Sequence, residues 1–390
     1  MDRGGTGSRD MSEFGEQNRG PNTFLIGQPT SRAHLETPAL ILDLPALERN
    51  VARMAALAAK RGMALRPHAK THKCVEIARR QIAAGALGVS CTVLREAEAM
   101  VEGGIPGVLI TSPVVTQTHI KRLITIAQRA GAGNVMVVCD NPDNAAALSK
   151  AAAGPGFPLG VLVDFSAGYH RTGVATEADA VALAKTIEAL PHLTLRGLQA
   201  YAGNIQHIED RTTRAARAAA LRKAVARIVA AAVAEGLRFA VVSGAGTGTH
   251  DMDATPFTEL QPGSYLFGDA QYQPVLLDGV DALPFEIALF AQASVISVNA
   301  ADYVTIDTGV KSLATDGPLP LVARGIEGSA TYAFFGDEHG RLYARSRPAL
   351  GTKIELVASH CDPTVNLHDW LHIVDGDRLV DIWPIDARGH

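Results

Sequence analysis

Two side chains near the end of the sequence have the types and spacing of metal ligands. His360 and Asp362 lie two positions apart in the segment ASHCDPTVNLHD, with Cys361 between them. In an extended strand this spacing places both side chains on one face, so we expect Cys361 to point the other way and to be packed. An imidazole and a carboxylate suit Mn²⁺ or Mg²⁺ better than a thiolate set, which would favour Zn²⁺. Taken alone, two ligands are a weak signal, and an ordinary polar turn is the better interpretation.

A lysine earlier in the chain lies where it could form a Schiff base. Lys70 belongs to the segment RPHAKTHK and follows the strand-like run ALRPHA. If this run is the first strand of a β/α barrel, Lys70 lies at the C-terminal mouth, where barrel enzymes hold their catalytic groups. Desolvation there would lower the pKa of the amine and make it nucleophilic. The alternative is a surface lysine in a basic loop.

A glycine-rich segment could bind a phosphate. The segment SGAGTGTHD contains Gly246, Thr247 and Gly248, where backbone N–H groups can approach an anion and a threonine hydroxyl can add a donor. A dinucleotide-binding loop would open a long helix, but Pro256 follows too soon for one. A barrel phosphate site lies after strands seven and eight, and the segment QPGSY supplies further donors there. A plain glycine-rich turn is the alternative.

Two further segments bring polar side chains to the predicted barrel mouth. Arg171 lies in VDFSAGYHRTGV, and Gln199, Tyr201 and His207 lie in GLQAYAGNIQH. Taken singly, each is better explained as a structural polar residue. Together with a lysine and a phosphate loop, they describe a pyridoxal phosphate site.

Short apolar runs alternate with helix-like stretches over most of the chain. The clearest helical stretches are residues 44–62 and 210–236, where apolar residues recur three and four positions apart and a glycine ends the pattern. The arginines of the second stretch could suggest RNA binding, but a solvated outer face is the better interpretation. Eight strands alternating with helices predict a parallel, TIM-type β/α barrel. The predicted strands are residues 64–69, 87–92, 107–111, 135–139, 159–164, 193–200, 239–243 and 258–265.

The pattern changes after residue 283. Strand-like runs at residues 285–299, 303–307 and 352–358 follow without long helices, which indicates a second, all-β domain. We expect the early strand at residues 38–44 to pack with this domain. We therefore predict three parts: a flexible tail (1–34), a cofactor-binding α/β barrel (35–280) and a C-terminal antiparallel β domain that carries the metal ligands (281–390).

The composition excludes several classes of function. Hydrophobic residues make up 47% of the 390 residues and the formal net charge is −4, so the chain is globular and lacks the basic surface of a protein that binds nucleic acid or anionic membrane. Its apolar runs are too short to span a bilayer, and its first residues lack the apolar core of a signal peptide. The four cysteines form no CxxC pair, which is typical of reduced thiols in the cytoplasm.

The sequence resembles the D-threonine aldolase and D-serine dehydratase family, which is related to alanine racemase. The resemblance runs from about Thr37 to Gly389 and rests on motifs in both predicted domains. These motifs are TPALILDL, RPHAKTHK, GLQAY, GAGTGT, ELQPGSY, DTGVK, DEHG and SHCDPTVNLHD. The family fold is a barrel followed by a β domain, in agreement with the strand count. Homodimers are common in the family, so the resemblance implies a homodimer.

The resemblance implies a role for each candidate residue. Lys70 would carry pyridoxal phosphate, Arg171 would approach its ring, and Tyr201 would lie near the pyridine nitrogen. His360 and Asp362 would bind a divalent metal, with Mn²⁺ or Mg²⁺ favoured and Zn²⁺ possible. The residues implied around the phosphate are Gly246, Thr247, Gly248 and Tyr265.

The implied reaction is retro-aldol cleavage of a β-hydroxy D-amino acid, such as D-threonine, to glycine and an aldehyde. The aldolases of the family resemble this chain in pairing His-x-Asp, whereas the dehydratases pair His-x-Cys. His207 is the candidate base for the hydroxyl proton, directly or through a metal-bound water, because imidazole titrates near neutral pH. Two alternatives are a dehydratase acting on D-serine or a 3-hydroxyaspartate, and a non-catalytic pyridoxal phosphate carrier built on the barrel.

Overall fold

The residues before the first strand are packed onto the C-terminal domain. We predicted a flexible tail over residues 1–34, but within residues 20–34 Leu25 is buried beside Leu35 and Phe290. The predicted tail was too long because these apolar side chains cover an otherwise exposed face of the β domain. The rest of that tail lies outside the described residues. The computed structural model describes residues 20–154, 156–252, 254–277 and 284–389.

The described strands form two sheets, one of which is a parallel barrel. Its strands follow the order β2-β9-β8-β7-β6-β5-β4-β3. The sheet closes between β2 and β3, where Leu87 N donates to Leu65 O and Ser90 N donates to Pro67 O, both at 2.8 Å. The first strand of the chain, β1 (Ala39–Asp43), belongs to the other sheet. The barrel strands are β2 (Ala64–Leu65), β3 (Ser90–Cys91), β4 (Val108–Ile110), β5 (Val135–Cys139), β6 (Leu159–Asp164), β7 (Leu193–Ala200), β8 (Val241–Gly244) and β9 (Glu259–Leu260).

Helices surround the barrel. The two clearest sequence predictions correspond to α1 and α7, and each begins at an aspartate: Asp43 accepts from Ala46 N at 3.1 Å and Asp210 from Thr213 N at 2.9 Å. Among the described residues, every helix is too short or too polar to cross a membrane. The helices are α1 (Leu44–Lys60), α2 (Val75–Ala83), α3 (Leu94–Glu102), α4 (Gln117–Ala130), α5 (Pro142–Ala151), α6 (Glu177–Glu188), α7 (Arg211–Ala234) and α8 (Gln273–Leu277).

Alternate residues of the barrel strands face inward and outward. One small cluster unites side chains from β4, β5, β6 and β8, and it fills the barrel separately from the larger core beneath the helices. A buried ion pair joins the end of β2 to the neighbouring strand β9, where Arg66 Nε is 2.8 Å from Glu259 Oε1. Ser243 Oγ donates to the same oxygen at 2.7 Å. Apolar side chains and a buried ion pair therefore occupy the barrel interior.

The C-terminal domain is a nine-stranded sheet within the described residues, and it is antiparallel except for one pair. Its order is β11-β14-β13-β12-β15-β10-β1-β16-β17. Together with the barrel, it confirms the predicted fold class. The remaining elements are β10 (Leu289–Ser297), β11 (Val304–Ile306), β12 (Leu321–Arg324), β13 (Ala330–Phe334), β14 (Gly340–Ala344), β15 (Lys353–Val357), α9 (Cys361–Asn366), β16 (Trp370–Asp375) and β17 (Arg378–Pro384).

Strand β1 connects the start of the chain to this sheet. It pairs antiparallel with β10, Ala39 opposite Gln292, and parallel with β16, Ile41 opposite His372. Its side chains are buried on both faces, as the continuous apolar run ALIL requires. Because α1 follows β1 directly, this strand also fixes the barrel against the β domain.

Candidate active site

Lys70 lies at the mouth of the barrel. A 3₁₀ turn at Ala69–Thr71 follows β2, and His68 Nδ1 accepts from Lys70 N at 3.4 Å at the start of that turn. The Lys70 ammonium donates to a carboxylate oxygen of Asp362, which belongs to the C-terminal domain. The predicted cofactor lysine and one predicted metal ligand are therefore in direct contact.

The electrostatics of this pair differ from the sequence prediction. Burial lowers the pKa of Lys70, but the charge and hydrogen bond of Asp362, together with Tyr201, outweigh burial, so the pKa lies above its usual value. Burial likewise raises the pKa of Asp362, but Lys70 and His360 hold it well below its usual range. The prediction of a lowered lysine pKa was wrong because it considered burial without the opposite charge.

We had expected the metal-ligand segment to be an extended strand, but it begins a helix. His360 has extended backbone angles, and α9 begins at Cys361, so Asp362 lies in its first turn. The thiol of Cys361 is buried and its backbone N donates to Asp269 Oδ2 at 3.0 Å. The side chains of His360 and Asp362 still approach the same mouth, because the chain turns between them.

A cavity of about 230 Å³ collects most of the predicted site residues. It lies between the barrel mouth and the start of α9. Lys70, Arg171, Tyr201, His207 and His360 all contribute to its wall. The full lining is His68, Lys70, Thr71, Tyr169, Arg171, Tyr201, Gly203, His207, Gly246, Thr247, Gln261, Gly263, Ser264, Tyr272 and His360.

His207 faces the metal-ligand side of this cavity. Its ring lies 4.4 Å from the ring of Tyr272, centroid to centroid. Burial, followed by the charge of His360, lowers the pKa of His207 to about 4. At neutral pH the imidazole is therefore uncharged, and its pKa lies below the near-neutral value on which its choice as the base rested.

The glycine loop is tightly packed against the segment that carries His207. Gln206 Oε1 accepts from Gly248 N at 3.0 Å, and Gln206 Nε2 donates to Thr249 Oγ1 at 3.2 Å. A Cβ added to Gly246 would lie 2.5 Å from Gln206 Oε1. A Cβ added to Gly248 would lie 2.0 Å from the backbone oxygen of Gln206, so a larger residue there would force the loop away from the segment that carries His207.

Two of the predicted phosphate residues lie outside the cavity wall. The N–H of Gly248 is already bonded to Gln206. Tyr265 is buried, and its hydroxyl accepts from Gln81 Nε2 at 3.1 Å. Its backbone N donates to Thr247 Oγ1 at 3.1 Å, so Tyr265 supports the loop from behind.

Several cavity residues were not among the predicted site residues. His68 and Thr71 belong to the same RPHAKTHK segment as Lys70, so the motif itself was a usable signal. Tyr169 precedes Arg171 by two positions in its loop. Tyr272 gave no sequence signal, because it reaches the cavity from the segment between β9 and α8.

The cavity fits pyridoxal phosphate. It offers an amine at Lys70, a guanidinium at Arg171 and close backbone at Gly246 and Gly263. A Cβ added to Gly263 would lie 2.3 Å from the Thr71 hydroxyl, so only glycine keeps this wall open. That hydroxyl is buried in the cavity wall beside the Asp362 carboxylate, so a ligand in the cavity can reach it.

The donor set also fits a divalent cation. His360 and Asp362 supply one imidazole and one carboxylate, which suit Mn²⁺ or Mg²⁺. Among the described residues, no third histidine, cysteine or acidic side chain lies close enough to complete a metal site with these two. The other coordination positions would be left to water or substrate, as in catalytic metal sites.

Known proteins resemble the chain along most of its length. The family described as alanine racemase, N-terminal domain, matches residues 42–271, and the putative serine dehydratase domain matches residues 288–374. The D-threonine aldolase of Arthrobacter sp. is 40% identical over 372 residues, covering 93% of this chain and 95% of the relative. The chain belongs to the D-threonine aldolase and D-serine dehydratase family.

Other members of the family agree with this assignment. A 3-hydroxy-D-aspartate aldolase of Paracoccus denitrificans is 38% identical, with 92% of this chain and 93% of the relative covered. The crystal structure of D-threonine aldolase from Filomicrobium marinum superposes with a TM-score of 0.86 at 40% identity, with 92% of this chain and 96% of that one covered. The D-threo-3-hydroxyaspartate dehydratase of Delftia sp. is 30% identical, over 72% of this chain and 73% of its own length.

These comparisons confirm the family predicted from the motifs. The more similar relatives are aldolases and the dehydratase is more distant, so the aldolase prediction is favoured over the dehydratase alternative. Membership of this alanine racemase-type family supports pyridoxal phosphate as the cofactor.

Proposed function

We propose that this protein is an aldolase that cleaves β-hydroxy D-amino acids to glycine and an aldehyde, using pyridoxal phosphate and a divalent metal. The observation that carries the proposal is the convergence of Lys70, His207 and His360 on one cavity, with Asp362 in direct contact with Lys70. These residues come from both domains, which a simple cofactor-carrying barrel would not require. The similarity to two curated aldolases supports the same conclusion.

The barrel residues would hold the cofactor. Lys70 would bind it covalently through its amine, and Arg171 and Tyr201 would approach its ring. The backbone around Gly246 and Thr247 would bind the phosphate, with Gly248 and Tyr265 supporting that loop. When bound, pyridoxal phosphate supplies an electron sink for the pair released as the Cα–Cβ bond breaks.

His207 would take the proton of the substrate hydroxyl. Its uncharged imidazole can accept a proton at neutral pH, and it lines the same cavity as His360. Breaking the Cα–Cβ bond requires the hydroxyl oxygen to become a carbonyl, so this proton must leave. The neighbouring Tyr272 ring restrains the imidazole on one side.

His360 and Asp362 would hold the metal at the hydroxyl end of the substrate. A divalent cation, preferably Mn²⁺ or Mg²⁺, supplies Lewis acidity that lowers the pKa of a bound hydroxyl. The thiol of Cys361 is buried and donates to Asp362 Oδ1 at 3.4 Å, which supports a ligand pair without sulfur.

The test is an assay with D-threonine after EDTA treatment, with and without added Mn²⁺. We expect acetaldehyde and glycine in equal amounts, formed only when metal is present. Formation of 2-oxobutanoate and ammonia would instead identify a dehydratase. No turnover of D-threonine or of larger β-hydroxy D-amino acids would favour a non-catalytic carrier.

We further propose that the protein is a cytoplasmic homodimer. The four cysteines are free and buried, which is consistent with a reducing compartment. Sedimentation equilibrium of the purified protein should give twice the mass of one chain, 41.0 kDa. A single-chain mass would contradict the dimer.

A further inference from the structure

We propose that Asp316 is a positioning residue for the metal site: it fixes the His360 ring so that Nε2 faces the cation. This inference rests on the proposed function, because it assumes that His360 binds a metal. The carboxylate Oδ2 of Asp316 lies 2.8 Å from His360 Nδ1. An ionised carboxylate can only accept, so Nδ1 carries the hydrogen and Nε2 is the nitrogen left for a cation. A neutral imidazole bound in this way is the form that ligates metals.

The surrounding fold fixes the contact between Asp316 and His360. Asp316 lies in the loop between β11 and β12, and this loop is tied to the start of α9. Ala314 N donates to Thr364 Oγ1 at 3.1 Å, and Thr364 Oγ1 donates to His360 O at 2.8 Å. The same hydroxyl therefore connects the loop of Asp316 to the backbone of the ligand.

Two further contacts fix the same loop. The Ser312 carbonyl lies 2.9 Å from His368 Nε2, just beyond α9. A Cβ added to Gly317 would lie 2.9 Å from Ser359 Oγ, so the backbone next to Asp316 packs directly on the residue before His360. The loop thus contacts the ligand segment before, at and after the metal pair.

Asp316 is placed to act through His360 and not as a ligand itself. It approaches Nδ1, on the opposite side of the ring from Nε2. The described residues also include no group of three acidic, histidine or cysteine side chains arranged around a metal position. The side chain of Asp316 is 55% exposed whereas that of His360 is 20% exposed, so Asp316 lies on the outer, solvent side of the histidine.

The experiment is a Mn²⁺ titration of the full-length protein loaded with cofactor, with free Mn²⁺ measured by electron paramagnetic resonance. We expect Asp316→Ala to weaken Mn²⁺ binding by about 10–100-fold, the usual effect of removing a carboxylate that orients a ligating histidine. Asp316→Asn keeps an acceptor oxygen without the charge, so its affinity should be intermediate. Asp337→Asn is the control, because Asp337 is an exposed carboxylate of the same domain, 4.0 Å from Lys311.

A second readout distinguishes the positioning of His360 by Asp316 from a general loss of enzyme structure. The Mn²⁺ concentration for half-maximal activity should rise in Asp316→Ala, whereas activity at saturating Mn²⁺ should stay near that of the wild type. Unchanged Mn²⁺ affinity in Asp316→Ala, or an equal loss in Asp337→Asn, would overturn the role of Asp316. If His360→Ala binds Mn²⁺ as tightly as the wild type, or the wild type binds none, the metal site of the proposed function fails and this role fails with it.

Discussion

The Lys70 ammonium donates to the Asp362 carboxylate, and this ion pair joins the barrel mouth to the first turn of α9. One residue is the proposed cofactor lysine and the other a proposed metal ligand. Each charge alters the pKa of the other. The two proposed sites are therefore electrostatically coupled before any substrate binds.

Cofactor removal should weaken metal binding. When the Lys70 amine is free and charged, it competes with a cation for Asp362, and covalent attachment of the cofactor removes that competition. We expect Mn²⁺ to bind the cofactor-free protein at least about tenfold more weakly, or about 1.4 kcal/mol. Calorimetric titration with and without pyridoxal phosphate measures the difference. In Lys70→Gln the dependence on cofactor should disappear; equal affinities in both forms of the wild type would refute the coupling.

Replacement of His207 should slow the chemical step and leave binding intact. Loss of a general base typically reduces the rate about 10²–10⁴-fold. We expect a fall of this size in kcat for His207→Asn, with the cofactor absorption band and Mn²⁺ affinity close to wild type. The control is His119→Gln, on the exposed face of α4. An unchanged kcat in His207→Asn would show that a group other than His207 is the general base.

Acid should weaken the attachment of the N-terminal segment through His372. His372 Nδ1 donates to Leu40 O at 3.1 Å, and Nε2 accepts from Asn22 Nδ2 at 2.9 Å, so the buried ring is neutral with both nitrogens bonded. Burial lowers its pKa from 6.5 to about 4. Because the unfolded state binds the proton more readily, this contribution to the free energy of unfolding is complete above pH 6.5 and is lost as the pH falls towards 4.

The loss should reach about 3 kcal/mol at most, since one pKa unit corresponds to about 1.4 kcal/mol. Urea denaturation at neutral and mildly acidic pH measures it in the wild type, in His372→Gln and in the His119→Gln control. The slope of stability against pH should be shallower only in His372→Gln. Parallel slopes in all three proteins would exclude His372 as the titrating group.

The buried ion pair between the end of β2 and β9 should be essential for stability. Arg66 donates from Nε and Nη2 to the two oxygens of Glu259 at 2.8 and 3.0 Å. Arg66→Met would leave the carboxylate buried without its partner, at a cost of about 3–5 kcal/mol in the free energy of unfolding. Arg129→Met is the matched control, because Arg129 and Glu102 form an exposed pair whose loss should cost about 1 kcal/mol or less. Equal losses in the two variants would contradict this ranking.

The sequence was sufficient to predict those elements and site residues that a local pattern determines. Apolar runs located the barrel strands, although β2, β3 and β9 are only two residues long where six to eight were predicted. Lys70 and the glycine loop were recognisable because their positions after particular strands place them at the mouth. The capped helices α1 and α7 were equally recognisable, since their periodicity and end signals are local.

The remaining features depend on residues far apart in the chain. The raised pKa of Lys70 comes from Asp362, which lies 292 positions away. The helical start at Cys361 was missed because spacing alone does not distinguish a strand from a helix terminus, although Pro363 in the first turn was a usable signal. The contact of Asp316 with His360 depends on a loop from another part of the β domain. Such contacts require the tertiary fold before they can be inferred.

Strand β1 has a consequence for biosynthesis. A ribosome makes β1 first, but its neighbours β10 and β16 emerge only after more than half of the chain has followed. During that interval the apolar strand has both edges unpaired, which is the condition under which nascent chains aggregate or engage chaperones. The barrel can close while translation continues, whereas the sheet that carries α9 cannot be completed until its last strands leave the exit tunnel. The nascent protein should therefore acquire its cofactor lysine long before its metal ligands.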